Sequence, residues 1–256
     1  MNANELIEKH ATNQFITKEI DMSSSYVDDY HSHSWHQIIF PYSGLLQSSI
    51  GNKRIVIPHN ALLYIPANTI HKSIAVTDTK FLAVYLNPNN TIEYSNELKS
   101  CLLTPFVKEL ILLLFNNTEI EQPAEELTNL LTVFRDQIAM ANSYEIPLLI
   151  PKDRRLMSIF SQLHKQPSLK LTAQDWSVKV GASQRTLSRI CAKEFNQSFS
   201  LWRQNIKLVL SLQLLASNKS IQEIALDLGY ASDSAYIHAF KNLFAETPNK
   251  YRKNSL

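Results

Sequence analysis

The C-terminal third of the chain contains the same helical hairpin twice, and that duplication limits what it can fold into. Only four glycines occur in 256 residues, and two of them, Gly181 and Gly229, lie 48 residues apart in equivalent surroundings. The first copy reads LTAQDWSVKVGASQRTLSRICAKEF and the second SIQEIALDLGYASDSAYIHAFKNLF. Each opens with a hydroxyl and a carboxylate three residues apart, Thr172 with Asp175 and Ser220 with Glu223, the pattern that satisfies the free N–H groups of a helix start. Trp176 and Val180 in one helix match Ile224 and Leu228 in the other as buried positions. Ser177 and Ala225 are the small residues where a second helix comes close. Each glycine falls just past the helix end, where the backbone turns left-handed. Ser183 and Ser232 then cap a second helix, which buries Leu187, Ile190 and Cys191 in one copy and Tyr236, Ala239 and Phe240 in the other. Phe195 and Phe244 close the two units. Helix, short turn, helix is the helix-turn-helix pattern, whose second helix can enter the major groove. A helical bundle with two similar hairpins and no nucleic-acid partner is the bland alternative.

Charge bears on that choice. The first 150 residues carry 9 Lys and Arg against 16 Asp and Glu, and the remainder carries 16 against 7. The split points to two domains, the second of which meets a polyanion, and a merely uneven solvated surface is the other reading of it. No apolar run approaches the roughly 18 residues of a membrane span. The N-terminus lacks a secretory layout. Cys101 and Cys191 lie far apart with no CxxC, which fits a reducing cytoplasm.

Residues 152–253 resemble the DNA-binding domain of AraC/XylS-type regulators. Ile224-Ala225, Gly229-Tyr230, Ser232, Phe240-Lys241, Thr247-Pro248 and Tyr251-Arg252 carry the resemblance. Two positions depart from it: His238 stands where a basic residue, most often Arg, is usual, and Ala245 where Gly is usual. The resemblance implies two recognition helices in successive major grooves of double-stranded DNA, with RNA polymerase as a further partner. Exposed positions at the start of the first recognition helix are Gln184, Arg185, Ser188 and Arg189, and Arg suits guanine O6 and N7. The resemblance places Arg185, Ser188 and Arg189 at groove-contacting positions. Their counterparts Asp233, Ser234, Ile237 and His238 are less basic, so the second unit is expected to position more than read. Arg203 and Lys207, on the helix between the units, are expected phosphate contacts.

The N-terminal half reads as short strands in QFITKEI, SGLLQSSI, KRIVI, NALLYI and KFLAVYL, broken by Pro, Asn, Gly and Ser. Within it, His31, His33, Gln37 and Gly44, then Asn60, Pro66, Asn68 and His71, keep the spacing of the two cupin motifs. Gln37 replaces the usual Glu, and Asn60 and Asn68 replace the two glycines. The resemblance implies a metal held by His31, His33, position 37 and His71 inside a barrel. Alternate strand residues share a face, so His31 and His33 are expected to point inward together, with His36 opposite. Imidazoles suit zinc, nickel, copper or iron, and Gln37 removes a charge from any such site. A pocket for a small molecule, walled by Trp35, Tyr42, Tyr64 and Tyr85, is the other reading.

The expected architecture is therefore a two-domain α+β chain. A cupin-like β-barrel (1–96) precedes two helices (97–144), a linker (145–153) and an all-α domain with two helix-turn-helix motifs (154–256). Thr104-Pro105 starts the first helix of the middle segment, whose stripe is Phe106, Leu110, Leu113 and Leu114. The second runs from about Glu121 to Asn142 over Leu127, Leu130, Leu131, Phe134 and Ile138. Packing on the β domain and pairing into a homodimer both remain open for them. A regulator responding to a small molecule or metal is the leading function. A metal-dependent cupin enzyme tethered to DNA lacks its usual carboxylate at Gln37, and a constitutive DNA binder with an inert partner domain is the third reading.

Overall fold

The computed structural model describes residues 2–58, 61–116, 124–141, 143, 150–215 and 217–255. Asn60, the ends of the second middle helix and most of the expected linker lie outside these residues. The chain divides into two units, Met1–Ile146 and Pro147–Leu256.

The first unit opens with helix α1 (Ala3–Lys9), started by a capping box between Asn2 and Glu5. Among the described residues nine strands follow: β1 (Phe15–Met22), β2 (Val27–His31), β3 (His36–Ser43), β4 (Leu45–Ile50), β5 (Lys53–Pro58), β6 (Ala61–Ile65), β7 (His71–Ala75), β8 (Thr79–Leu86) and β9 (Lys99–Leu102). They form two antiparallel sheets, ordered β1-β8-β3-β6-β9 and β2-β7-β4-β5. The expected barrel is thus two sheets whose hydrogen-bond ladder does not close among the described residues. Strand β9 also revises the reading of 97–144, because the segment begins by completing the first sheet.

Period-two alternation sorts the first sheet's side chains to its two faces. Ile39, Leu63, Ile65, Phe81 and Ala83 meet Leu46, Ile57 and Ala75 of the second sheet in one core. Ile38, Phe40, Leu62, Tyr64, Leu82 and Val84 face the other way, into a second core covered by helices α2 (Pro105–Asn116) and α3 (Ala124–Met140). The two helices therefore pack on the β domain through Val107, Leu110, Ile111 and Leu114 and through Leu131, Phe134 and Ile138. Phe106 and Leu113 do not join that face and stay exposed.

Among its described residues the second unit contains helices and no strand: α4 (Arg154–Lys165), α5 (Ala173–Lys179), α6 (Gln184–Phe195), α7 (Phe199–Leu215), α8 (Ile221–Asp227), α9 (Asp233–Phe244) and α10 (Pro248–Ser255). Both capping boxes form, at Thr172 with Asp175 and at Ser220 with Glu223. Both glycines adopt positive φ, 63° at Gly181 and 75° at Gly229. After each, the next residue's N–H reaches back five positions, Ala182 to the Ser177 carbonyl and Tyr230 to the Ala225 carbonyl, each at 2.9 Å. These are paired Schellman closures, which stop each helix at a fixed angle. Helix α7 packs against α4 and α6 of the first half of this unit and against α8 and α9 of the second. Arg252 secures its end, donating to the carbonyls of Leu215 and Lys219.

Candidate functional site

The recognition helices are α6 and α9. Ser183 caps α6 and Ser232 caps α9, each through the backbone N–H three residues on. Leu187 and Cys191 anchor α6 in its unit's core, and Tyr236, Ala239 and Phe240 anchor α9. Ile190 is only half-buried. Anchoring at those positions turns the rest of each helix outward. Gln184, Arg185, Ser188 and Arg189 are all exposed on one face, at the four-residue spacing that makes helix neighbours. Gln184 is tied back to α5, donating to Gln174 Oε1 at 2.6 Å. On α9, Asp233, Ser234 and His238 are exposed and Ile237 is half-buried. The Asp233 carboxylate accepts the N–H of Ser234, and His238 Nδ1 lies 3.3 Å from the Asn242 amide.

Arg203 and Lys207 are placed differently from the expectation. Both are half-buried. Arg203 donates to the Leu171 carbonyl at 2.6 Å, and Lys207 to the carbonyls of Leu169 and Leu228 at 3.3 and 2.9 Å. Burial pushes both cations below their ordinary ranges. Heads held this way brace the domain from within.

In the first unit, His31, His33 and His71 converge, with one ligating nitrogen of each within 4.8 Å of the others. Strand alternation is not what unites them. Strand β2 ends at His31, which sits directly across from His71 on β7, and His33 lies in the connection to β3. Ring centroids are 4.3 Å apart for His31 and His71 and 5.2 Å for His33 and His71. Each Nδ1 bonds a main-chain carbonyl: His31 to Asp29 at 2.8 Å, His33 to Trp35 at 2.7 Å and His71 to Thr69 at 2.9 Å. An Nδ1 engaged this way carries the proton, so Nε2 holds the lone pair, as second-shell carbonyls arrange in metal sites. Burial lowers the proton affinity of His33 and takes His71 to about 4, which keeps both neutral.

Gln37, on β3, has its Oε1 3.1 Å from His33 Nε2. Two acceptors at that distance need a cation between them, or an amide turned so that its NH₂ donates. Three imidazoles and an amide oxygen suit a borderline transition ion. Bond lengths of about 2.0–2.1 Å call for side-chain shifts on the order of 1 Å. The donor set fits a metal, without the carboxylate of the cupin pattern.

The cluster opens into a cavity of about 580 Å³, bordered by Ile39, Phe81, Tyr85, Ser73, Asp28 and, from the N-terminal segment, Asn4. That volume is in the range of small-molecule sites. Of the four aromatic residues expected there, Tyr85 lines it. Trp35 is in the inter-sheet core, and Tyr42 is exposed and donates to Glu19. Tyr64 faces the helix-covered side, where its hydroxyl meets His36 Nδ1 at 2.8 Å. Helix α1 was absent from the sequence reading, although Asn2 and Glu5 carried its capping signal.

A duplicated helix-turn-helix unit with an exposed arginine face, in one chain with a β-rich unit holding a ligand-sized cavity, defines a DNA-binding transcription regulator. The chain matches the AraC-like ligand binding domain over residues 19–186 and a helix-turn-helix domain over 176–254. It belongs to the AraC family of transcription regulators. It is similar to the HTH-type transcriptional regulator NimR of Escherichia coli, 24% identical over 221 residues covering 86% of this chain and 81% of that one. The Msm operon regulatory protein of Streptococcus mutans is 33% identical over 92 residues, 36% of this chain and 33% of that one. The solved structure of ToxT from Vibrio cholerae aligns over 95% of this chain and 99% of that chain, at 15% identity and a TM-score of 0.41. No helix among the described residues is long and apolar enough to cross a membrane.

Proposed function

We propose that this regulator senses a transition metal, or a small molecule that meets one, at His31, His33 and His71, and that binding there changes its hold on DNA. The observation that carries the reading is the triple anchoring of the Nδ1 atoms on carbonyls of Asp29, Trp35 and Thr69. It leaves three lone pairs aimed at a common region, at the mouth of a cavity far larger than an ion. His31, His33 and His71, with the Gln37 oxygen, would hold zinc, nickel or iron. When bound, such an ion supplies a cross-link between β2, β7 and the connection into β3, and so between the two sheets. The protein acts in the cytoplasm as a regulator and not as an enzyme. It works with RNA polymerase, and exposed Phe106, Leu113, Val133 and Met140 on α2 and α3 support a homodimer.

Elemental analysis of protein purified without a histidine tag, with band shifts on genomic fragments with and without added metal, tests this. Stoichiometric metal that alters the shift, lost in His71→Ala, is expected. No bound metal and no metal effect on DNA binding removes the metal reading. Arg185→Ala and Arg189→Ala should each weaken specific binding by about 1–3 kcal/mol. Neither losing affinity rejects the assigned groove face.

A further inference from the structure

The two helix-turn-helix units are joined by more than the chain between them. Gly229, in the turn of the second unit, lies so close to the segment preceding the first that a Cβ there would sit 2.6 Å from the Ser168 carbonyl oxygen. At the next residue, the Leu169 carbonyl accepts from Lys207 Nζ at 3.3 Å, and the same Nζ donates to the Leu228 carbonyl at 2.9 Å. Leu228 is the C-cap of α8, and Leu169 lies three residues before Thr172, the N-cap of α5. From the middle of α7, Lys207 therefore grips the entry to the first unit and the turn of the second at once. Arg203, one turn earlier, holds the same entry segment at Leu171 while resting on the Phe199 ring at 4.8 Å. A charged donor in two half-buried carbonyl bonds is worth more than a neutral one and is hard to replace.

We propose that Lys207 is a positioning residue that fixes the separation of the two recognition helices, so that the protein reads a bipartite DNA site of one spacing. Simultaneous engagement of two half-sites multiplies affinity only when the geometry permits both. Helices in successive major grooves must be held roughly 34 Å apart along the duplex. Small rotations of one unit about α7 carry its recognition helix out of register. Lys207 and the close approach of Gly229 to Ser168 oppose that rotation.

The test uses the full-length chain and a duplex selected from random DNA with the wild-type protein. Derivatives of that duplex carry one or two base pairs added or removed between half-sites, or one half-site scrambled. Lys207→Met is expected to bind the parent duplex at least about tenfold more weakly. It should show a flattened spacing preference and stay within about twofold of wild type on scrambled duplexes, where only one unit reads sequence. A uniform loss on every duplex, with the salt slope reduced by about one, marks a phosphate contact and overturns the proposal. An unchanged spacing profile also overturns it. Spin labels at exposed positions, through Ser188→Cys and Ser234→Cys, read the separation directly, since Cys101 and Cys191 are buried. The distance distribution should be narrow in the parent and broad with Lys207→Met, and equal widths reject the idea. If Lys207→Met does not fold, the same measurements on Lys207→Gln, which keeps a donor, decide between these outcomes.

Discussion

The backbone N–H of Asn68 donates to the carbonyl oxygen of His33 at 2.8 Å, and Asn68 does so from a left-handed conformation with φ of 61°. The turn at 66–69 thereby fixes the His33 backbone, while its Thr69 carbonyl orients the His71 ring. The turn needs positive φ at position 68, where the cupin pattern that this segment resembles has glycine. Asparagine is the residue that best tolerates that region after glycine. Asn68→Gly should leave the stability of the first unit within about 0.5 kcal/mol. Asn68→Val, β-branched in a left-handed position, should destabilise it by about 1–3 kcal/mol. Thermal unfolding followed by tryptophan fluorescence, with Trp35 as the buried reporter in this unit, checks both. Equal melting of Asn68→Val and wild type would remove the role assigned to this turn.

Restoring the carboxylate at position 37 is a second test. Gln37 is nearly fully buried beside His33, and a carboxylate there is costly to bury alone but well matched to a divalent ion. Gln37→Glu should tighten zinc binding by on the order of tenfold, about 1.4 kcal/mol, and lower the stability of the metal-free protein. Competition against a chromophoric chelator gives the first quantity and urea unfolding in chelator the second. Weaker zinc binding in the variant would place position 37 outside the donor set.

Much of this was legible in the sequence where local rules govern structure. The capping boxes, the glycine stops and most buried positions of the duplicated unit depend on neighbours a few residues apart and appear as read, whereas Val180 and Ile190 are half-buried. The β unit was harder. Strand β2, VDDYH, is exposed along most of its length and has no apolar alternation to betray it, and β9 has only four residues. The histidines were found by motif spacing, yet the reason given for their convergence was local alternation. They meet instead through the β2–β7 pairing and the Asn68 turn, contacts between residues distant in sequence. The carbonyl bonds of Arg203 and Lys207 went unread for a related reason: residue type and an amphipathic helix cannot reveal which carbonyls a folded loop will bring within reach.

The left-handed C-cap of α9 offers a third prediction. Ala245 sits there with φ of 60°, at the position where the family has glycine. A side chain in that region costs about 1–2 kcal/mol, partly offset by glycine's greater freedom in the unfolded chain, about 0.5–1 kcal/mol. Ala245→Gly should therefore stabilise the second unit by about 0.5–1 kcal/mol. The two turn glycines should differ in the opposite direction. A Cβ at Gly181 meets nothing within 4 Å, whereas one at Gly229 runs into Ser168, so Gly229→Ala should be the more damaging of the pair. Denaturant unfolding followed by helical circular dichroism ranks the three, and a destabilised Ala245→Gly would contradict the account of this cap.

Acid should loosen the second unit through its two capping boxes. Hydrogen bonds from the Thr172 hydroxyl and backbone hold the Asp175 carboxyl below its ordinary range, and the Ser220 backbone and hydroxyl do the same for Glu223. A carboxyl whose affinity for protons is lower in the folded state is protonated first in the unfolded chain. Its contribution is complete above the ordinary carboxylate range, about pH 4, and disappears as pH falls through the depressed folded values. Asp175→Asn with Glu223→Gln should give a protein less stable at pH 7 whose stability declines less steeply below pH 4. Unfolding midpoints measured at half-unit pH intervals separate the cases. A double variant that keeps the wild-type slope would mean that other carboxylates, such as Asp153, held to about 2 chiefly by its bond from Arg155, account for the acid sensitivity of this unit.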